Sequence, residues 1–330
     1  MRTDSDALPQ TLAWIAVDWG SSNLRAWGLD KQNQVIANAS SDKGMLSLTP
    51  DEYEAELLRL VGDWLPANSQ IAVMVCGMAG ARQGWLEAAY LPVPISLDQL
   101  SHGAVIPRLV GGQLRVHLLP GLSQTHSAAQ HFDVMRGEET QLAGLAAEAP
   151  DFSGRVCLPG THSKWASIES GAVTQFTTYL TGELYQLLAN QSVLKHSIGS
   201  DALNEPACRD AFIAAVSEIN AAPETFSSRL FGLRAQDLLD SRLPMGNTRA
   251  SVLSARLSGL AIGLELAGAC QSLPTDETVT LIGNPALCHR YHLALNALGF
   301  QTHHVEGDTA VLAGLRLAHQ ALTNNTERTL

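Results

Sequence analysis

The sequence predicts an α/β chain made of two similar halves, each a sheet of mixed strands with helices packed on it. Three observations carry that prediction. Apolar strand-like runs alternate with helix-like segments from Ile15 to Leu322. Residues 15–30 and 155–168 both read as a strand, a glycine turn with short polar side chains, a basic residue and a return strand. A third strand and a helix follow each of them, so a β-β-β-α order recurs at a separation of about 140 residues, the mark of an internal duplication.

In the first half, Ile15–Trp19 is an apolar strand that ends at an acid, Asp18. Gly20 turns the backbone without a Cβ penalty, and Ser21, Ser22 and Asn23 supply the polar tip before the strand Leu24–Asp30. Gln34–Ser40 reads as a third strand. Pro50–Tyr53 starts a helix whose Leu57, Leu58, Leu60, Val61, Trp64 and Leu65 recur at helical spacing until Pro66 stops it. Ile71–Cys76 is fully apolar, as a buried parallel strand should be, and a glycine-rich loop, Gly77–Gly84, follows at its carboxyl end. Residues 92–113 carry too many Pro and Gly interruptions to assign. Arg115–Leu119 reads as another strand. The segment Met135-Arg136-Gly137-Glu138-Glu139-Thr140-Gln141 then opens a helix that Pro150 and Gly154 close.

The second half begins with the strand Arg155–Leu158, the turn Pro159-Gly160-Thr161-His162-Ser163-Lys164 and a return strand to Ile168. The strand Ala172–Tyr179 and a helix over Gly182–Leu194 come next. Residues 204–269 read as helical, ending in a long helix from about Thr248 to Cys270. Thr278–Ile282 is a buried strand that runs into Gly283-Asn284-Pro285. A helix, the strand Gln301–Val305 and a final helix from Asp308 complete the pattern. The division this suggests is 1–142 and 143–330, with the final helix 308–330 free to pack back on the first domain.

Bulk properties narrow the function classes. The chain has 330 residues, 45% of them hydrophobic and 16% charged, and a net charge of -11. Such a balance argues against a broad nucleic-acid surface or an anionic-membrane surface, and an anionic small substrate needs a local cluster of donors against that field. Five dispersed cysteines (Cys76, Cys157, Cys208, Cys270, Cys288) without a C-x-x-C pair suit buried thiols in a reducing compartment. Residues 1–11 do not resemble a signal peptide, and no apolar run approaches the ~18 residues of a membrane span. A cytoplasmic protein is expected.

The opening hairpin can direct backbone N–H groups at a phosphate while Asp18 holds a metal ion on the same phosphate. The absence of a G-x-x-x-x-G-K-[ST] sequence excludes a P-loop as the phosphate site. The pairs His289/His292 and His126/His131 lack a third ligand at zinc spacing and read as packing or surface residues.

Together, Val17–Arg25, Gly77-Met78-Ala79-Gly80, Met135–Gln141, Leu158–Trp165 and Ile282–Pro285 resemble the motifs of the 2-dehydro-3-deoxygalactonokinases. These are sugar-acid kinases of galactonate catabolism within the actin/hexokinase/Hsp70-like superfamily. The resemblance spans residues 15–313. It implies two ribonuclease-H-like domains with a nucleotide cleft between them, and transfer of phosphate from ATP, with Mg²⁺, to the C6 hydroxyl of 2-dehydro-3-deoxy-D-galactonate. On that implication Asp18 organises the metal, and Gly20, Ser21, Ser22 and Asn23 lie near the phosphates. Gly160, Thr161, His162, Ser163 and Lys164 cover them from the second domain, with Lys164 either a point charge there or a solvated lysine at the hairpin exit. Gly283 and Asn284 serve the adenosine. Glu138 or Glu139 takes the hydroxyl proton, with a lean to Glu139. Arg25, Gly77, Met78, Gly80, Arg82 and Arg136 serve the sugar acid, Arg82 first among the carboxylate donors. The same residues leave two alternatives: a same-fold kinase for another sugar or sugar acid, such as 2-dehydro-3-deoxygluconate, or a non-catalytic actin-like nucleotide-binding protein. The partners implied are small molecules, with room for a homodimer.

Overall fold

The structure is a computed structural model that describes residues 11–67, 69–126, 131–200, 202–274 and 276–327. Residues 1–10, read above for targeting, lie outside that set. The chain divides into two compact units. Residues 1–153, 167–176 and 307–330 form the first, and residues 154–166 and 177–306 the second. The crossing at Ser153–Gly154 falls after the helix that Pro150 and Gly154 close, later than a division at 142/143. That helix stays with the first unit because it packs against the final helix of the same unit.

In the first unit, β1 (Trp14–Trp19), β2 (Leu24–Leu29) and β3 (Val35–Ser41) form an antiparallel meander. Helix α1 (Tyr53–Val61) returns the chain to β4 (Ile71–Gly77), which runs parallel to β1. Two short strands, β5 (Tyr90–Pro92) and β6 (Ile95–Ser96), precede β7 (Leu114–Leu118), which is parallel to β4. The sheet order is β3-β2-β1-β4-β7. Burial explains why β1 and β4 read as continuous apolar runs, since the pleat sends alternate residues into two different cores. Ile15, Val17 and Trp19 face one core with Tyr53 and Leu57 of α1. Trp14 and Ala16, with Met74 and Cys76, face another that Val311, Leu315 and Ala318 of the last helix complete.

Beyond β7 the chain forms β8 (Gly121–His126) and β9 (His131–Met135), which build a small sheet of order β5-β8-β9. Sequence reading finds none of its strands. The β8 segment GLSQTH has no apolar alternation to mark it, and β5 is only three residues long. The backbones of His126 and His131 are register partners across β8 and β9; their side chains lie outside the described residues. Helix α2 (Glu138–Glu148) ends this stretch.

The second unit takes up β10 (Gly154–Leu158), β11 (Ser163–Glu169) and β12 (Ala172–Tyr179), followed by the helices α3 (Thr181–Gln191), α4 (Pro206–Ala221), α5 (Phe226–Leu239) and α6 (Asn247–Ala269). Strand β13 (Thr278–Gly283), α7 (Pro285–Ala297) and β14 (Gln301–Glu306) follow, and α8 (Gly307–Glu327) belongs to the first unit again. The sheet order is β14-β13-β10-β11-β12-β6, with β13 parallel to both β10 and β14. The outer ends of β11 and β12, residues 167–176, group with the first unit, where Ala172 and Val173 pair with Ser96 and Ile95 of β6.

Taken in chain order within each half, both sheets have the arrangement third, second, first, fourth, fifth strand. The duplication legible in the sequence is therefore a duplication of topology, and the fold is the two-domain, ribonuclease-H-like α/β architecture of the actin/hexokinase type. Among the described residues, α6 is the one helix long and apolar enough to cross a membrane, yet 72% of its most apolar window is buried inside the structure. It is the core helix of the second unit, packed against α4.

Helices α2 and α8 approach until their backbones touch. A Cβ on Gly314 would overlap the carbonyl of Thr140, and one on Gly144 would overlap the carbonyl of Ala310. Neither helix can yield without displacing its own hydrogen-bond ladder. Gly314→Ala is therefore expected to cost about 3 kcal/mol of stability, the upper range for overpacking a well-filled site, read as a lower midpoint in urea unfolding.

Candidate active site

The first unit gathers its polar groups at the carboxyl ends of β1 and β4. Asp18 and Arg25 are direct cross-strand partners in the β1–β2 register, and the Arg25 guanidinium donates to Asp18 Oδ2 at 2.5 Å. Its other arm bonds Asp308 at the start of α8. The hairpin tip is held by its neighbours. Gly20 N–H donates to the Asn23 carbonyl at 2.8 Å, and the N–H groups of Met45 and Leu46 donate to the carbonyls of Gly20 and Ser21 at 3.0 and 2.9 Å. A cavity of about 780 Å³ opens on this tip, lined by Asp18, Gly20, Ser21, Ser22, Asn23 and Arg25 among others. All the hairpin residues singled out in the sequence thus share one surface.

Gly77 ends β4 at φ +88°, where a side chain would be strained and would crowd the Trp19 carbonyl. Its missing Cβ would sit 3.5 Å from Asp18 Oδ1, and that of Gly137, the residue before α2, would sit 3.5 Å from the Gly77 Cα. Two glycines in succession therefore bring the amino end of α2 up to the carboxylate of Asp18.

The two glutamates that begin α2 differ sharply. Glu139 is fully buried. Its Oε2 accepts from Gly137 N–H at 2.7 Å and its Oε1 from the Thr140 hydroxyl at 3.2 Å. Burial, reinforced by the neighbouring charge of Glu138, pushes its pKa up to about 8 against those hydrogen bonds. Glu138 is half-buried, and its Oε2 accepts from Arg136 N–H at 3.1 Å. A group that must meet a substrate hydroxyl has to be reachable and ionised. Glu139 is closed off from solvent and holds its proton up to about pH 8, whereas Glu138 keeps a partly exposed side chain, which weighs toward Glu138 against the lean to Glu139.

The raised pKa has a stability consequence. In the unfolded chain this carboxyl titrates near its ordinary 4.5, whereas the native protein holds the proton to about 8. Between those values the native state binds more protons than the unfolded one, so this group's contribution to stability falls as pH rises. Glu139→Gln removes the titration, and its Tm is expected to fall less between pH 5 and 8 than that of the unsubstituted protein, a difference on the order of a few kcal/mol readable by thermal melts at both pH values.

The sugar-acid residues do not stay together. Arg136 is only 9% exposed. Its guanidinium donates to the carbonyls of Ala88 at 2.7 Å and Leu119 at 3.5 Å, lies over the Tyr90 ring at 4.3 Å, and packs on Gly80. It holds the loop after β4, and these contacts give it a structural role beside the substrate role expected of it. Arg25 already spans two carboxylates of the chain. Arg82 extends into solvent, 80% exposed, with its Nε 3.3 Å from Glu87, and is the most accessible guanidinium of the set. Met78 and Gly80 form the turn that places it.

In the second unit, a cavity of about 710 Å³ is lined by Gly160, Thr161, Tyr185, Lys195, Asn284 and Arg290 among others. Asn284 caps α7, its Oδ1 accepting from the N–H groups of Ala286 and Leu287 at 2.9 and 3.3 Å. Of the remaining nucleotide candidates, His162 bonds Glu183 at 2.6 Å, Ser163 is fully buried beside the Tyr291 hydroxyl at 2.8 Å, and Gly283 ends β13; none of these lines the cavity. Lys164 is 5% exposed and is not a solvated lysine. It alternates with Ser163 on β11 and so points from the opposite face. Sequence reading missed Lys195 and Arg290, the cations of this cavity, because they lie on helical segments outside any glycine motif.

A magnesium ion keeps several waters and takes one or two carboxylates alongside phosphate oxygens. Among the described residues no three His, Cys, Asp or Glu side chains gather into a metal-holding group. Asp18, one carboxylate at the mouth of a polar hairpin cavity, fits an ion that arrives with its phosphates, with Arg25 as the competing cation already on Oδ2.

A family model described as 2-keto-3-deoxy-galactonokinase matches residues 18–318. A protein of Rhizobium meliloti (strain 1021) named as a 2-dehydro-3-deoxygalactonokinase is 38% identical over 309 residues, covering 94% of this chain and 97% of the relative. The 2-dehydro-3-deoxygalactonokinase of Escherichia coli (strain K12) is 34% identical over 314 residues, 95% of this chain and all of the relative. A crystal structure of a Sinorhizobium meliloti protein described as a 2-dehydro-3-deoxygalactonokinase superposes with a TM-score of 0.82 at 36% identity, covering 94% of this chain and 99% of the other.

Proposed function

The chain belongs to the 2-keto-3-deoxy-galactonokinase family, and on that premise we propose that it transfers the γ-phosphoryl group of ATP to the C6 hydroxyl of 2-dehydro-3-deoxy-D-galactonate, giving 2-dehydro-3-deoxy-6-phosphogalactonate. The observation that supports this reading is the meeting, across Gly77 and Gly137, of Asp18 with the amino end of α2, which begins with Glu138 and Glu139. Phosphoryl transfer asks a protein chiefly for position and charge compensation.

In this reading Asp18 would hold Mg²⁺, and the ion would supply charge neutralisation for the phosphoryl group being transferred. Backbone and hydroxyl donors of Gly20–Asn23 orient the phosphates, and Arg25 exchanges a carboxylate of the chain for a phosphate oxygen. The Glu138 carboxylate accepts the proton of the attacking hydroxyl. Arg82 pairs with the sugar-acid carboxylate, a bidentate match for a guanidinium. The nucleotide occupies the 710 Å³ cavity of the second unit, where Lys195 and Arg290 favour an anionic ligand. Five cysteines, all buried and none in a disulfide, support a reducing, cytoplasmic setting.

A coupled ADP-release assay across 2-keto-3-deoxy sugar acids and neutral hexoses tests the proposal. Turnover is expected with the galactonate derivative. A response confined to neutral sugars would retain a kinase and remove the sugar acid.

A further inference from the structure

The acid at the centre of the second unit has no part in the chemistry above. We infer that Glu265 is a positioning residue for the nucleotide site, its carboxyl holding β11 and the start of α3 against α7 so that Gly160, Thr161 and Asn284 open on one cavity. This rests on the nucleotide reading of that cavity.

Glu265 lies in α6 and is 2% exposed. Its Oε1 accepts from the Trp165 indole N–H at 2.7 Å and its Oε2 from the Tyr291 hydroxyl at 2.7 Å. The hydroxyls of Thr181 and Ser163 also bond to it. Three elements thus converge on one carboxyl: β11 through Ser163 and Trp165, α3 through Thr181, and α7 through Tyr291. Thr181 and Tyr291 line the cavity, while Glu265 does not, so its action on a nucleotide has to pass through them.

The energetics favour a geometric role. Burial penalises the charged carboxyl and raises its pKa, and the four donors oppose that shift. A leucine at this place in so apolar a helix would avoid the desolvation cost altogether, as would apolar partners in place of the donors. An acid kept there against that cost supplies two acceptor oxygens fixed in one plane, which orient donors from separate elements in a way that apolar packing does not. Glutamine is nearly the same size but offers one acceptor and an NH₂ group, so it leaves part of the donor set facing another donor.

The test is steady-state kinetics on the full chain with ATP and sugar acid varied separately. Glu265→Gln is expected to raise KM for ATP about tenfold, with kcat and the KM for the sugar acid within about twofold of the unsubstituted protein. Trp165→Phe, which deletes one donor from a residue off the cavity lining, should raise KM for ATP in the same selective way by a smaller factor. A folded Glu265→Gln protein with unchanged KM for ATP overturns the inference. Should that variant not fold, a folded Trp165→Phe protein with unchanged KM for ATP overturns it instead. Asn284→Ala separates the two claims. If it raises KM for ATP while Glu265→Gln does not, the cavity binds nucleotide and the positioning role falls. If neither changes KM for ATP, the nucleotide reading of the cavity falls and takes the positioning role with it.

Discussion

Asp18→Asn is expected to lower sugar-acid-dependent ADP release about 10³-fold, the scale at which loss of one preorganised electrostatic group is felt in a transition state. Asparagine keeps the shape of the side chain and removes its charge, so the loss falls on metal binding and on the arrangement of phosphate charge. The fold should survive the change, because Arg25 retains Asp308 as its second carboxylate partner and the hairpin tip is held by backbone bonds from Met45 and Leu46. A circular dichroism spectrum and a Tm close to those of the unsubstituted protein would establish that survival. Full activity in the folded variant would remove Asp18 from the mechanism.

Glu138→Gln should have a comparable effect, a fall in kcat of about 10³-fold with little change in either KM, since a general base acts on the proton in flight and contributes less to ground-state binding. Glu139→Gln should be much milder near neutrality. Its carboxyl already carries a proton up to about pH 8, and an amide imitates that neutral state while keeping one acceptor for Gly137 N–H. The reverse outcome, an inactive Glu139→Gln beside an active Glu138→Gln, would mean that the buried carboxyl becomes exposed and ionised when substrate binds, and would return the base to Glu139.

Much of the scaffold could be read from the chain because its central strands are buried on both faces. Runs such as Ile71–Cys76 and Thr278–Ile282 leave a continuous apolar signature, and the glycine hairpins recur at matching places in both halves. The polar strands at residues 121–126 and 131–135 left no such trace. At the candidate site, the sequence singled out Asp18, the hairpin tip and the pair of glutamates, since those depend on order along the chain. It could not separate Glu138 from Glu139, because adjacent residues at a helix start differ only in which way they turn. Arg136 is ambiguous in sequence for a related reason. A guanidinium beside a glycine motif looks the same in sequence whether it meets a ligand or caps the carbonyls of Ala88 and Leu119. Glu265 did leave a signal, a lone acid between Leu264 and Leu266 in the most apolar helix of the chain, but its four donors come from segments scattered over residues 163–291.

The first unit draws its second core from both ends of the chain, with Trp14 and Ala16 packed under Val311, Leu315 and Ala318. A ribosome makes Trp14 and Ala16 roughly three hundred residues before Val311, Leu315 and Ala318. During synthesis the amino-terminal sheet must therefore wait with one apolar face uncovered, while residues 177–306 can complete the second unit's core as soon as they emerge. The usual order, in which amino-terminal domains finish first, is inverted here. Protection of β1 and β4 from nascent-chain aggregation falls to whatever covers that face until α8 arrives.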